Sequence, residues 1–284
     1  MEFAKVGTQS FIAIVLGAAF SFVLPLGITL LWKFKKKEKF TTILVGAATF
    51  LLFALILEKP IQNVLVFPTQ MGLEDHAISR FLNTRPVLWA FVVGLFPGVF
   101  EETGRLVAYK TVLKKRKNRE TSISHGIGHG CFEVIMILGV TYVTYISYAV
   151  MINTGTFQTA IDRVAAYAPN QADALYTLAD QLANLTVAGI GVGFVERVFA
   201  VLFHIGASIL VFYACKDKGK FWLYPLAIIL HTALDFIAGL AMVKVFNPSA
   251  LVLEAIVGAF GILIFCGAYF PLYKRDIENG VNTH

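Results

Sequence analysis

Four short stretches of this 284-residue chain put acids, imidazoles and guanidinium groups inside otherwise apolar sequence. They are EETGR (101–105), SHGIGHGCFE (124–133), ERVFAVLFH (196–204) and HTALD (231–235). A carboxylate among several imidazoles suits the activation of water: the acid takes a proton, and the imidazoles bind a metal ion or stabilise an oxyanion. Neutral imidazoles and a carboxylate are also ordinary zinc ligands. The zinc-protease spacing His-Glu-x-x-His is absent, so any metal site needs ligands from separate helices. The chain has neither a Gly-x-Ser-x-Gly elbow nor a pair of intramembrane aspartates, which argues against serine and aspartyl mechanisms.

Residues four apart share a helix face. That spacing pairs Glu101 with Arg105, His129 with Glu133, and His231 with Asp235, while Arg197 and His204 lie two turns apart. Each feature alone has a structural explanation. Glu102 and Arg105 read as a neutralising intrahelical pair, and His129 or His204 as a hydrogen-bonded histidine between helices. Arg197 reads best as the neutraliser of a carboxylate from another helix, and Glu196, rotated by about 100°, as a weaker candidate. His125 is expected to be partly exposed, and Glu254 to be a packing residue near the outer interface. His76 and His284 carry no assignment.

The elements that hold these residues are membrane helices. Apolar residues make up 57% of the chain, charged residues 15%, and mean hydropathy is +0.71; soluble domains carry about 25% charged residues. Runs long enough to cross a bilayer fall at 10–32, 40–57, 87–110, 123–151, 185–214, 221–243 and 250–273. The pattern predicts an all-α, polytopic bundle of about seven helices, one domain over 1–284 with its core motifs in 87–240. Basic residues cluster in alternate connections: KFKKKEK (33–39), KTVLKKRKNRE (110–120), KDKGK (216–220) and YKRD (273–276). Lys and Arg in short loops stay in the cytoplasm, so the N-terminus is expected outside and the C-terminus inside a cell membrane. The net charge of +6 then faces anionic lipid and calls for no nucleic acid. Cys131, Cys215 and Cys266 offer no exterior pair for a disulfide framework. The 152–184 loop reads most simply as a solvated helical excursion, and the glycines of GIGHG and GIGVG suit close helix contacts.

Depth then links the motifs. At about 1.5 Å per residue from the basic ends, Glu101 lies about 13 Å deep and His129 about 10 Å. Glu133, His204 and His231 each lie about 16 Å deep on the same count. A charge at the bilayer centre costs about 2.5–3.5 kcal/mol, so retained ionisable groups face the protein interior and carry function. The expectation is one polar pocket in the cytoplasmic half.

In this order on successive spans, EETGR, GIGHGCFE, ERVFAVLFH and HTALD resemble the YhfC family of bacterial intramembrane metalloproteases. That family is similar to the superfamily of CAAX prenyl endopeptidases and PrsW proteases. The superfamily's Glu-Glu-x-x-x-Arg pattern falls on Glu101, Glu102 and Arg105, with one residue fewer before the arginine. Its Phe-x-x-x-His motif corresponds to the helix of His204, with Ala200 in the Phe place, or to His129, with His125 in that place. Its His-x-x-x-Asn/Asp motif falls on His231 and Asp235. The resemblance implies Glu101 as general base, helped by His204 or His129, with His231 and Asp235 near the oxyanion. His129, Glu133, His204 and His231 are the candidate ligands for Zn2+. The implied activity is cleavage of a membrane protein or peptide in the cytoplasmic half of the bilayer. A non-catalytic scaffold, or a carrier of small solutes or ions, is the alternative, since polar intramembrane groups also build substrate paths.

Overall fold

A computed structural model describes residues 3–36 and 38–276; His284 lies outside the described residues. Seven helices are long and apolar enough to cross a membrane: α1 (Thr8–Lys35), α2 (Phe40–Val66), α3 (Pro86–Lys110), α4 (Glu120–Asn153), α5 (Val187–Lys216), α6 (Leu223–Met242) and α7 (Ala250–Lys274). There are no strands among the described residues. Each helix overlaps its expected apolar run, and α2 departs most. Glu58-Lys59-Pro60 looked like a terminus, yet the helix passes through a π-helical stretch, Leu51–Glu58, and continues over Lys59–Val66. Pro60 falls at the junction of the π-helical and α-helical stretches. The extension puts Glu58 inside a span rather than in a loop.

Helix α5 is the axis of the bundle. In its most apolar window 72% of residues are buried, against 17% for α7. It packs against α4 and α7, α3 pairs closely with α6, and α2 pairs with α4. Small residues allow these approaches, because without a hydrophobic drive between helices, association relies on close packing. A methyl group added to Gly128 would overlap the Ile43 carbonyl oxygen of α2, and one on Gly46 would overlap the His125 carbonyl oxygen of α4. Gly126 and Gly130, on another face of α4, meet Ile205 and Val201 of α5. The GIGHG run therefore seats α4 against two neighbours at once and leaves His125 and His129 on a third side. GIGVG behaves otherwise: Gly191 and Gly193 face open space, so the expected close contact is not made there.

The 152–184 connection is a helical excursion with one face exposed, as expected, and its other face is packed. Its helices Phe157–Tyr167 and Pro169–Ala183 bury Phe157, Ile161 and Leu182. Phe3 packs edge-on against Phe157 at 5.2 Å and stacks on Tyr176 at 5.8 Å. Ser10 Oγ donates to the Ala183 carbonyl at 2.9 Å, and Gln171 Nε2 donates to the carbonyl of Gln70 in the α2–α3 connection. The apolar faces of the two short helices are thus spent on each other, on the end of α4 and on the N-terminal segment, making a cap on the end of the bundle that carries the base-poor loops.

Candidate active site

Helix α3 presents Glu101, Glu102 and Arg105, and all three are buried. Glu101 Oε2 is the hub. It lies 2.9 Å from His129 Nε2 on α4, 4.0 Å from His204 Nδ1 on α5, 4.0 Å from His231 Nε2 on α6 and 3.9 Å from Arg105 Nη2. Four helices thus deliver one carboxylate, three imidazoles and a guanidinium to one point. Each nearest approach is to Oε2, and among the described residues no hydrogen bond is made to Oε1.

A second ring holds the first. His231 Nδ1 pairs with Glu102 Oε1 at 2.8 Å, which directs Nε2 toward Glu101 and toward Asp235 Oδ2 at 3.4 Å. Arg105 Nη2 donates to His204 Nδ1 at 2.6 Å, and Arg105 Nε stands 3.6 Å from Glu102 Oε2. With Nδ1 accepting that bond, the proton of neutral His204 sits on Nε2, which abuts Glu133 Oε2. Glu133 Oε1 accepts from Arg197 Nη1 at 3.1 Å, and Arg197 also pairs with its neighbour Glu196. Arg197 therefore meets a carboxylate from another span. Arg105 is fully buried between two acids, a geometry in which removing one partner leaves an uncompensated charge.

A cavity of about 530 Å³ has Glu101, Glu133, His204, His231 and Asp235 in its wall. Glu102, Arg105 and His129 do not line it and stand behind that wall. From this floor the cavity runs past Pro97, Arg197 and Ala238 to Lys59, Met242 and Glu254. Met242 ends α6 and Glu254 lies in the first turns of α7, both on the side of the base-poor loops, and Lys59 is seven residues short of the end of α2. The cavity therefore extends from its floor toward the end of the bundle away from the basic connections, and that end is taken as its mouth.

Several residues sit otherwise than their sequence suggested. His125 is fully buried, not partly exposed, because α2 and α5 close over the first turns of α4. Its Nε2 meets Thr49 Oγ1 and its Nδ1 meets Ser208 Oγ, each at 3.2 Å. Glu196 and Glu254 both line the cavity, since the cavity is wide enough to reach more than one face of α5 and the start of α7. Glu58 was missed altogether. It is 1% exposed and lines the same cavity. The signal for it was Gln62, four residues on and on the same face, with more apolar sequence beyond Pro60.

Glu101, His129 and His204 each offer a ligand atom, and the three atoms lie within 4.8 Å of one another. Ligands about 2.0–2.2 Å from a tetrahedral zinc lie roughly 3.4 Å apart, so small side-chain movements would close this set around an ion. His129 Nδ1 is buried without a partner, and His204 Nδ1 carries Arg105. One lone pair serves one partner, so an ion on His204 Nδ1 would displace that guanidinium. With this adjustment the donor set, one carboxylate oxygen and two imidazole nitrogens, fits a zinc-like metal.

Comparison with known proteins agrees with this chemistry. The family model described as YhfC intramembrane metalloprotease matches residues 20–257. The chain belongs to the YhfC intramembrane metalloprotease family. A relative from Bacillus subtilis (strain 168), named "Uncharacterized membrane protein YhfC", is 29% identical over 259 residues, covering 91% of this chain and 95% of the relative. No solved structure matches the chain. Like that relative by name, this member of the YhfC family is a multi-pass membrane protein, and the family match spans all four motifs and helices α2 to α6.

Proposed function

We propose that the protein is an intramembrane endopeptidase that hydrolyses a peptide bond of a membrane-embedded polypeptide at the floor of the cavity. The observation that carries this reading is the meeting of His129, His204 and His231 around Glu101 Oε2 at the end of a chamber with room for a substrate segment. Basic residues in alternate connections put the N-terminus outside and the C-terminus inside. In that orientation the floor lies in the cytoplasmic half of the bilayer, and the substrate arrives from the opposite, base-poor side.

Hydrolysis needs a base, a support for the oxyanion and a proton for the leaving nitrogen. Glu101 takes the proton of a water in the cavity through Oε1, the oxygen free of the imidazoles. The resulting hydroxide adds to the substrate carbonyl carbon, and the charge moves onto the carbonyl oxygen. When the tetrahedral species collapses, the C–N bond breaks and the same proton passes from Glu101 to the departing amine. His231, oriented through Nδ1 by Glu102, stands beside the reacting carbonyl, and in its imidazolium form it donates from Nε2 to the oxyanion, which takes the acceptor place that Asp235 occupies before substrate binds. Arg105 offsets the charges of Glu101 and Glu102, and Arg197 offsets that of Glu133. Glu101, His129 and His204 would hold a metal, with Glu133 and His231 adjoining, and the ion would supply Lewis-acid polarisation and a more acidic water. The partners are lipid and a membrane protein or peptide, and one helical domain over 1–284 houses the site.

The test uses pure protein in liposomes with a membrane-spanning peptide, product identified by mass spectrometry and bound metal by elemental analysis. Wild type should cut the peptide. Glu101→Gln should lower the rate by at least about 100-fold in a chain that still folds, as its circular dichroism and elution in detergent would show. Full activity in that variant would refute the proposal. Loss of zinc from a His129→Ala/His204→Ala chain that still folds would support the ligand set.

A further inference from the structure

Three acids that line the cavity have no role in the reaction above, Glu58, Glu196 and Glu254, and Glu58 is the one that is buried. Glu58, on α2, is 1% exposed, and neither of its carboxylate oxygens has a hydrogen-bond partner. Lys59 Nζ stands 3.6 Å from Oε1, beyond hydrogen-bonding distance. That lysine is 52% exposed and gives its own bond to Gln62 Oε1 at 3.2 Å. A buried carboxylate that accepts no hydrogen bond and has only a half-exposed lysine at 3.6 Å as countercharge is costly in a low-dielectric interior. A chain that keeps one facing an intramembrane chamber keeps it for a partner.

The charge of the chamber selects that partner's sign. Six carboxylates line the cavity against Lys59, Arg197 and the imidazoles of His204 and His231, and Arg197 is already engaged by Glu133 and Glu196. A resident divalent ion at Glu58 would need several converging oxygens. The described residues bring three potential ligands together only at Glu101, His129 and His204. An organic cation, held by one carboxylate, fits instead.

Its position can be read along the helices. Gln62 Nε2 donates to the Val93 carbonyl at 3.1 Å, which sets residue 62 of α2 beside residue 93 of α3. Glu58 is four residues deeper on α2 and Glu101 eight residues deeper on α3, so Glu58 sits about 6 Å nearer the mouth than Glu101. Extended peptide rises about 3.3 Å per residue, so 6 Å is roughly two residues of substrate.

We propose that Glu58 is a specificity subsite for the ammonium or guanidinium group of a substrate Lys or Arg. That residue lies within about two residues of the scissile bond, on the side toward the cavity mouth. The inference rests on the peptidase reading for its scissile bond, but cation binding can be measured without cleavage.

The measurement uses the Glu101→Gln chain in nanodiscs of phosphatidylcholine and phosphatidylglycerol, which contain no amine lipid. The probes are two fluorescent apolar peptides of about 20 residues, identical except for Lys or Gln at one position moved stepwise along the middle. Affinities are corrected for partition into empty nanodiscs. At the matching position the Lys peptide should bind at least about tenfold tighter, and this preference should vanish in Glu101→Gln/Glu58→Gln. Equal binding of the two peptides, no binding of either, or a preference that survives in the double variant overturns the subsite. Should the double variant fail to fold, shortening the peptide lysine to diaminobutyrate tests the contact from the ligand side, and an undiminished preference is again fatal. Wild-type cleavage of both peptides is scored separately. Equal cleavage without binding preference removes the subsite and leaves the peptidase, whereas a Lys preference without cleavage removes the peptidase and leaves the cation site.

Discussion

Arg105 is the largest of the side chains buried almost completely, and it stands where two adjacent acids would otherwise repel. Its guanidinium contacts Glu101, Glu102 and His204 at once, a reach that its planar fork provides and a lysine's single ammonium does not. Replacing it with leucine should destabilise the protein by about 3–5 kcal/mol, because two carboxylates are left buried without a countercharge. Lysine should recover only part of this. Thermal unfolding in detergent measures both, and an unchanged melting temperature for Arg105→Leu would mean the acids are neutralised by other means. The EETGR spacing already indicated the pairing with Glu101 and Glu102. The bond to His204 was not legible, because it joins residues 99 positions apart.

At the scale of the helix, α4 shows how one motif can serve two purposes. Its glycines bring the backbones of α2 and α5 each into contact with that of α4, and that closeness shortens the reach from His129 to Glu101. Gly128→Ala should push α2 and α4 apart, costing about 1–3 kcal/mol as overpacking does and loosening the His129–Glu101 contact. Gly191→Ala, in the superficially similar GIGVG, meets nothing within 4 Å. It should be neutral, or stabilising by up to about 1 kcal/mol through helix propensity. Parallel melting curves decide the matter, and equal effects would contradict the packing described. From sequence the two glycine runs were indistinguishable, since neither contains information about which helix will lie opposite. The π-helical stretch in α2 has the same character: it shifts the register beyond Leu51 and carries Glu58 to the cavity, an outcome that a helical wheel of constant pitch cannot anticipate.

For the whole molecule, the floor of the chamber lies nearer the basic connections and its mouth nearer the other end. The charge asymmetry of the loops sets a direction for this geometry. In a cysteine-free background, Glu74→Cys should react with an impermeant maleimide on intact cells, and Lys117→Cys only after permeabilisation. Glu254→Cys, at the mouth, should react from the same side as Glu74→Cys. The opposite pattern would invert the orientation, and with it the leaflet in which cleavage is proposed. The cap formed by Phe157–Tyr167 and Pro169–Ala183 lies on the side of the base-poor loops, tied to the N-terminal segment through Phe3 and Ser10 and to the α2–α3 connection through Gln171.

Composition and spacing alone determined that the chain makes seven membrane helices and that its ionisable residues share a level. Both follow from local physics: the free energy of putting each residue type in hydrocarbon, and the fixed rise of a helix. Only the tertiary structure decided which of those residues touch. Glu101 rather than Glu102 became the hub, His125 went to Thr49 and Ser208, and Glu58 joined the chamber. These outcomes depend on helix rotation and neighbour choice, which are set by packing between segments far apart in sequence. A one-dimensional pattern constrains depth well and azimuth poorly, and the chemistry of this site lies in the azimuth.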